Sequence, residues 1–311
     1  MIPPNVHAIF SPRGFGELAL VAGVTLLVGC GGGDTPLNNN GNANSVGCPS
    51  GYVRVPKGTF ILGYDPEELE ADGIIYPSHS GPAHAVTLTA DFCMSKTEVT
   101  VAQYRQCRAA GNCTGESPDL GRNCNFHETD TTRHNHPINC LTYEQAREYC
   151  QAQGGDLPTE AQWFRAAQGE DRRYFAWGNS DPDCSHANYD VNEVSGDGDD
   201  NGFGCDRTTD PPYTWSVGSA PAGASPYGLL DMTGNVSELV LGCGAPFFEP
   251  CDGELGCVDP KPDECDGPYR LALGGNFTNP TGSIYTFLRT AVPMDREIAF
   301  GIRCVVIPRN P

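Results

Sequence analysis

The sequence predicts an α+β domain with little regular structure and many covalent cross-links. Three observations carry this. Helix-start signatures fall early in the chain and turns dominate later; 38 glycines and 26 prolines interrupt the 311 residues; and the chain holds 15 cysteines. Early helices followed by short strands and turns are an α+β pattern, and Gly and Pro at this density mark irregular chain between short elements.

Taken from the N-terminus, Arg13 precedes an apolar run from Leu18 to Val28. The run is short for a bilayer span and reads as the core of a signal peptide. It ends in Leu27, Val28, Gly29 and Cys30, which resembles the bacterial lipobox, where the cysteine is lipidated and becomes the first mature residue. Residues 1–29 are therefore expected to be a signal peptide and 30–47 a lipidated Cys30 with a flexible tether. Gly31 to Val46 is rich in Gly and Asn, and a coil of that length spans roughly 20 to 25 Å. The expected location is the bacterial cell envelope, with the membrane as a partner through the lipid. Gly31 after the cysteine, rather than Asp, favours the outer membrane over the inner.

Setting Cys30 aside leaves an even number of cysteines, as seven disulfides require, and so many point to an oxidising compartment. No C-x-x-C pair occurs, which argues against zinc fingers and ribbons. The formal charge of −20 argues against nucleic acid or anionic lipid as a partner.

The folded part is expected to be one domain over residues 48–311. Val53, Val55, Phe60 and Leu62 alternate as half-buried strands do, with a turn near Gly58, and Ala85 to Thr89 is a further strand with Val86 and Leu88 facing inward. Three helices follow, each opened by a Thr with Gln three residues later, the capping-box spacing: Thr100 with Gln103, Thr142 with Gln145, and Thr159 with Gln162. They should stop near Gly111, Gly154 and Gly169. On the second, Ala146, Tyr149 and Cys150 share a face. Local pairing is expected for Cys107 with Cys113, Cys124 with Cys140, and Cys184 with Cys205, while Cys48 with Cys93 would tie the first strand to the chain before the first helix. Cys243, Cys251, Cys257 and Cys265 fall in one extra loop whose connectivity stays open.

Signals for chemistry are sparse. There is no G-x-S-x-G, no phosphate loop and no Ser, His and Asp arrangement. His134 and His136 form an H-x-H pair that reads as a turn before the second helix. Trp163, Trp177 and Trp215 read as core, although Tyr213 and Trp215 lie near an acidic insertion.

Several blocks, in order, resemble the formylglycine-generating enzyme, or sulfatase-modifying factor, family. They are Gly58, Thr59, Phe60 and Gly63; Thr97 to Thr100 with Tyr104; His136, Pro137 and Ile138; Leu157 to Trp163; Tyr174 to Gly178; Tyr227 to Val236; and Phe300 to Cys304. The resemblance covers about residues 50 to 306. It implies a single compact domain of low regular content, related to C-type lectins, and by likeness to the family's structural disulfide it pairs Cys150 with Cys304.

Family oxidases use two cysteines just after the Gly274, Gly275 block to bind copper and activate oxygen. Those places here hold Asn279 and Ile284, and copper is not expected, because monovalent copper calls for thiolates. The resemblance also implies a calcium site with Asp231 and Glu238 as carboxylate ligands and the carbonyls of Gly234 and Val236. Hard oxygen donors on a Gly-containing turn suit calcium. Asn188 and the Tyr189 carbonyl resemble part of a second calcium site, shared with an acidic loop that carries Asp197, Asp199 and Asn201. That loop fits the first half of an EF-hand, but its twelfth position is Thr208 rather than Glu. Its other reading is an exposed acidic insertion.

The expected function is a non-catalytic, calcium-stabilised binding or scaffolding module on an envelope lipoprotein, with a protein or glycan ligand. The alternative is an oxidase or other oxidoreductase of the same fold, using a groove around Asn276, Asn279, Ser283 and Arg289. A third reading is a purely structural envelope protein.

Overall fold

The computed structural model describes residues 47–74, 80–119, 124–191, 205, 214–243, 257–261, 265, 267–294 and 299–308. Cys30, the tether, Asp197, Asp199, Asn201, Tyr213 and Cys251 lie outside these residues.

All three expected helices form at their capping boxes. In each, the Thr hydroxyl accepts from the Gln amide N–H while the Gln side chain accepts from the Thr amide, satisfying two of the donors a helix start leaves free. A shorter helix, α1 (Pro66–Ala71), precedes them. Its start is another box, Asp65 with Glu68, with Pro66 at the first helical position, where a missing N–H costs nothing. The later helices are α2 (Val101–Ala109), α3 (Tyr143–Ala152) and α4 (Glu160–Gln168). Helix α3 buries Ala146, Tyr149 and Cys150, as its pattern predicts.

Among the described residues the strands form three small sheets. Strand β1 (Tyr52–Val55) pairs antiparallel with β4 (Phe92–Ser95), which also pairs with β10 (Val305–Val306). Strand β2 (Gly58–Leu62) pairs antiparallel with β3 (His84–Leu88), and β3 runs parallel to β6 (Cys257–Val258). The two opening strands thus enter different sheets rather than pairing with each other. On β3, Val86 and Leu88 face inward and are buried.

The largest sheet has the order β8 (Arg289–Pro293), β7 (Tyr269–Leu273), β5 (Ser237–Cys243) and β9 (Phe300–Ile302). Strands β5 and β9 are parallel, with Glu238 opposite Gly301. That register brings Glu238, near the start of β5, close to Arg303, just past the end of β9. One core packs Trp163 and Phe164 of α4 against β2, β3 and β7, and a second packs α2 and α3 against the other side of β5 and β7.

Disulfides pin the irregular chain. The described cysteines form the pairs Cys48–Cys93, Cys107–Cys113, Cys124–Cys140, Cys150–Cys304, Cys184–Cys205 and Cys243–Cys265, and Cys257 is also disulfide-bonded. Cys150–Cys304 joins α3 to the chain between β9 and β10, 154 residues apart.

Candidate functional site

Two adjoining regions carry the residues singled out from the sequence: a buried ionic cluster at the start of β5, and the turn that follows β7. The cluster is centred on Arg303, which is fully buried. Its Nε donates to Glu238 Oε1 at 2.9 Å and Oε2 at 3.0 Å, and Nη2 donates to Oε1 at 2.7 Å. Nη1 and Nη2 also donate to the carbonyls of Ser95 and Leu230, both at 2.7 Å. Trp163 Nε1 donates to Glu238 Oε2 at 2.6 Å. A desolvated carboxylate persists when its lone pairs are filled in this way.

Glu98, just before α2, is the second buried carboxylate. It accepts from Asn235 Nδ2 at 2.8 Å and the Val236 amide at 3.2 Å. Burial, and then the negative charges of Asp231 and Glu238, push it well above the usual carboxylate range. Asp231 is half-buried and accepts from the Gly218 amide at 2.6 Å. Burial raises its carboxyl to about 6. Of the three carboxylates only Glu238 is bonded to the guanidinium, whose charge also lowers the pKa of Glu98 and of Asp231. Neither Glu98 nor Arg303 stood out as a site residue in the sequence, since a charged residue that will be buried carries no local signal.

The two residues expected to grip calcium have different partners. Both Glu238 oxygens are taken by Arg303 and Trp163, while Asp231 bonds the 218 amide. Among the described residues no three His, Cys, Asp or Glu side chains are grouped to hold a metal ion. Nothing below is routed through a calcium ion. Of the second expected set, the Asn188 carbonyl accepts from the Asn235 amide at 2.7 Å and Oδ1 from the Cys205 amide at 3.2 Å.

The neighbouring turn begins with Gly274 and Gly275, at φ 91° and 67°, a left-handed region that favours glycine. A Cβ on Gly275 would sit 2.8 Å from both Ile284 Cα and the Ser283 carbonyl, so the absent side chain is what lets these two stretches of backbone touch. Beyond it, Asn276 Oδ1 accepts from the Thr278 amide at 3.0 Å and hydroxyl at 2.7 Å, and Nδ2 donates to Ser237 Oγ at 3.0 Å. Asn279 Oδ1 accepts from the Asn276 amide at 2.9 Å. The Ser283 amide donates to the Pro280 carbonyl at 2.8 Å. Arg289 turns toward α4, giving Nε and Nη2 to the Glu160 carboxylate at 2.6 and 3.1 Å. The polar residues of the expected groove thus largely hold the turn and the sheet together.

The two places where the resemblance puts copper-binding cysteines are occupied otherwise. Ile284 is fully buried and clusters with Phe175, Ala187 and Tyr189. Asn279, half-buried, is tied into its own turn. A copper ion does not fit this pair, because neither residue supplies a thiolate. His136 lies in the turn before α3, with Nδ1 2.9 Å from Thr214 Oγ1, and Trp163 is core.

Residues 41–307 match the family model of the sulfatase-modifying factor enzyme 1-like domain. Hercynine oxygenase of Mycolicibacterium smegmatis is 26% identical over 294 residues, covering 84% of this chain and 62% of the relative. Formylglycine-generating enzyme of Thermomonospora curvata is 26% identical, covering 73% of this chain and 82% of the relative. The solved structure of PvdO from Pseudomonas aeruginosa superposes with a TM-score of 0.59 at 22% identity, covering 82% of this chain and 92% of that one, a likeness of fold. With the ordered motifs, the capping boxes and a family match across nearly the whole described domain, the chain belongs to the sulfatase-modifying factor enzyme 1-like domain family.

Proposed function

We propose that this domain is a non-oxidising member of its family and serves as a binding or scaffolding module displayed from the bacterial envelope. The observation that carries the proposal is the content of the two thiolate positions. Ile284 is part of an apolar cluster and the Asn279 side chain is engaged by a backbone amide, so cysteine-based copper chemistry has no ligands there. A further support is that Asn276 and Arg289 are committed to Ser237 and Glu160. Display from the membrane rests on the apolar run and on Cys30. The ligand belongs to the proposal as a protein or glycan class only.

The test is product formation. The disulfide-intact chain, supplied with copper, oxygen and a cysteine peptide of the sulfatase type, is expected to leave the peptide unchanged by mass spectrometry. Catalytic conversion of the cysteine to formylglycine would overturn the proposal. The envelope part is tested separately by labelling with a radioactive fatty acid in a bacterial host, where Cys30→Ser should abolish incorporation.

A second reading, an oxidoreductase with replaced catalytic residues, is favoured by the relatives whose names specify oxygenation and formylglycine generation. The chain spans 62% of the hercynine oxygenase, so that enzyme's whole activity does not transfer by likeness. Turnover of any substrate that is lost on substituting Asn276 or Asn279 would favour this reading.

A further inference from the structure

A groove opens where the starts of α4 and β10 meet the far end of β5, lined by none of Asn276, Asn279, Ser283 or Arg289. Its volume is about 720 Å³, within the size range of small-molecule sites. Leu157, Leu241, Val305 and Ile307 give it an apolar wall. Ile307 is 64% exposed at the lip of this groove.

The polar lining has a distinctive sign. Arg147, Lys261 and Arg270 face a single carboxylate, Asp156, in a chain whose formal charge is −20. Arg147 and Asp156 neutralise each other, with Nε to Oδ1 at 3.0 Å and Nη2 to Oδ2 at 2.6 Å. Lys261 and Arg270 remain. Among the described residues neither is in an ion pair with a carboxylate. Arg270 lies over the Tyr143 ring at 5.1 Å, and its Nη1 donates to the carbonyls of Gly267 and Tyr269. These contacts fix the guanidinium at the groove, and among the described residues no carboxylate is ion-paired with it. Among the described residues these two cations stand beside an apolar wall without a salt-bridging carboxylate, in a chain that is acidic overall.

We propose that this groove binds a small amphipathic carboxylate, its apolar body against Leu157, Leu241 and Ile307 and its carboxylate held by Lys261 and Arg270. The apolar wall favours an anion with an apolar body over a simple inorganic one, and the two cations select against the neutral analogue of the same shape. The inference does not depend on the non-oxidising reading, because a family oxidase could carry the same groove.

The probe is 1-pyrenebutyrate, titrated by fluorescence into the disulfide-intact chain, with neutral 1-pyrenebutanamide as its control. The expected result is saturable binding of one pyrenebutyrate per chain, about fivefold or more tighter than the amide, a difference of about 1 kcal/mol. Lys261→Met and Arg270→Met should each remove most of that difference while leaving amide binding in place. Ile307→Glu, at an exposed position, should weaken the carboxylate further by placing a like charge at the lip. Equal affinity for acid and amide, several equivalent sites per chain, or indifference to all three substitutions would overturn the proposal. Retained binding of the amide in each variant is the control against misfolding.

Discussion

Arg303 sets the energetics of the centre of this domain. It is the counter-ion of Glu238, and its charge acts on Glu98 and Asp231 as well, lowering the pKa of each. Removing it strands a desolvated carboxylate, so Arg303→Met should cost about 3 to 5 kcal/mol in urea unfolding. Glu98→Gln should cost much less, because its surroundings already favour the neutral acid. A smaller loss for Arg303→Met than for Glu98→Gln would contradict this ordering. His136 supplies a pH-dependent term of known sign. Burial, followed by the charge of Arg133, holds its pKa below the ordinary 6.5, against the bond to Thr214. The folded state then binds the proton less readily than the unfolded chain. Its contribution is complete above the unfolded pKa and is lost as the pH falls. Between pH 8 and pH 5 the wild type should lose more thermal stability than His136→Gln, and parallel curves would refute it.

Among the elements, the three longer helices were legible because each start carries its own chemistry. A Thr and a Gln three apart satisfy amides that any helix leaves free, whatever packs around them. Helix α1 went unread although Asp65, Pro66 and Glu68 form a start of the same kind. Its run is only six residues and too short to show a periodic face. The small strands β6, β9 and β10 were also hidden, since two or three residues cannot display alternation, and their pairing depends on chain far away in sequence. The cross-links differ in weight accordingly. Opening Cys150–Cys304 with a paired Ala substitution should cost about 4 to 5 kcal/mol, and opening Cys107–Cys113 about 2 kcal/mol, because the first closes a far longer loop. Denaturant unfolding of the two variants checks this; equal losses would place the stabilisation in native packing instead of loop closure.

For the whole molecule, ordered motifs identified the family and the single domain, while the site was only half legible. Asn279 and Ile284 could be read directly as non-thiolate residues. What replaces the copper pair could not, because the burial of Ile284 depends on Phe175, Ala187 and Tyr189, which lie more than ninety residues before it. The same distance problem hid the guanidinium that occupies Glu238, and with it the reason that the expected calcium ligands have separate partners. The central claim is a family fold without the family's thiolate chemistry. Its most direct test is titration of the disulfide-intact chain with monovalent copper against a competing chelator, with Asn279→Cys/Ile284→Cys as comparison. The account predicts no stoichiometric, chelator-resistant copper on the wild-type chain. One tightly held copper per wild-type chain would contradict it.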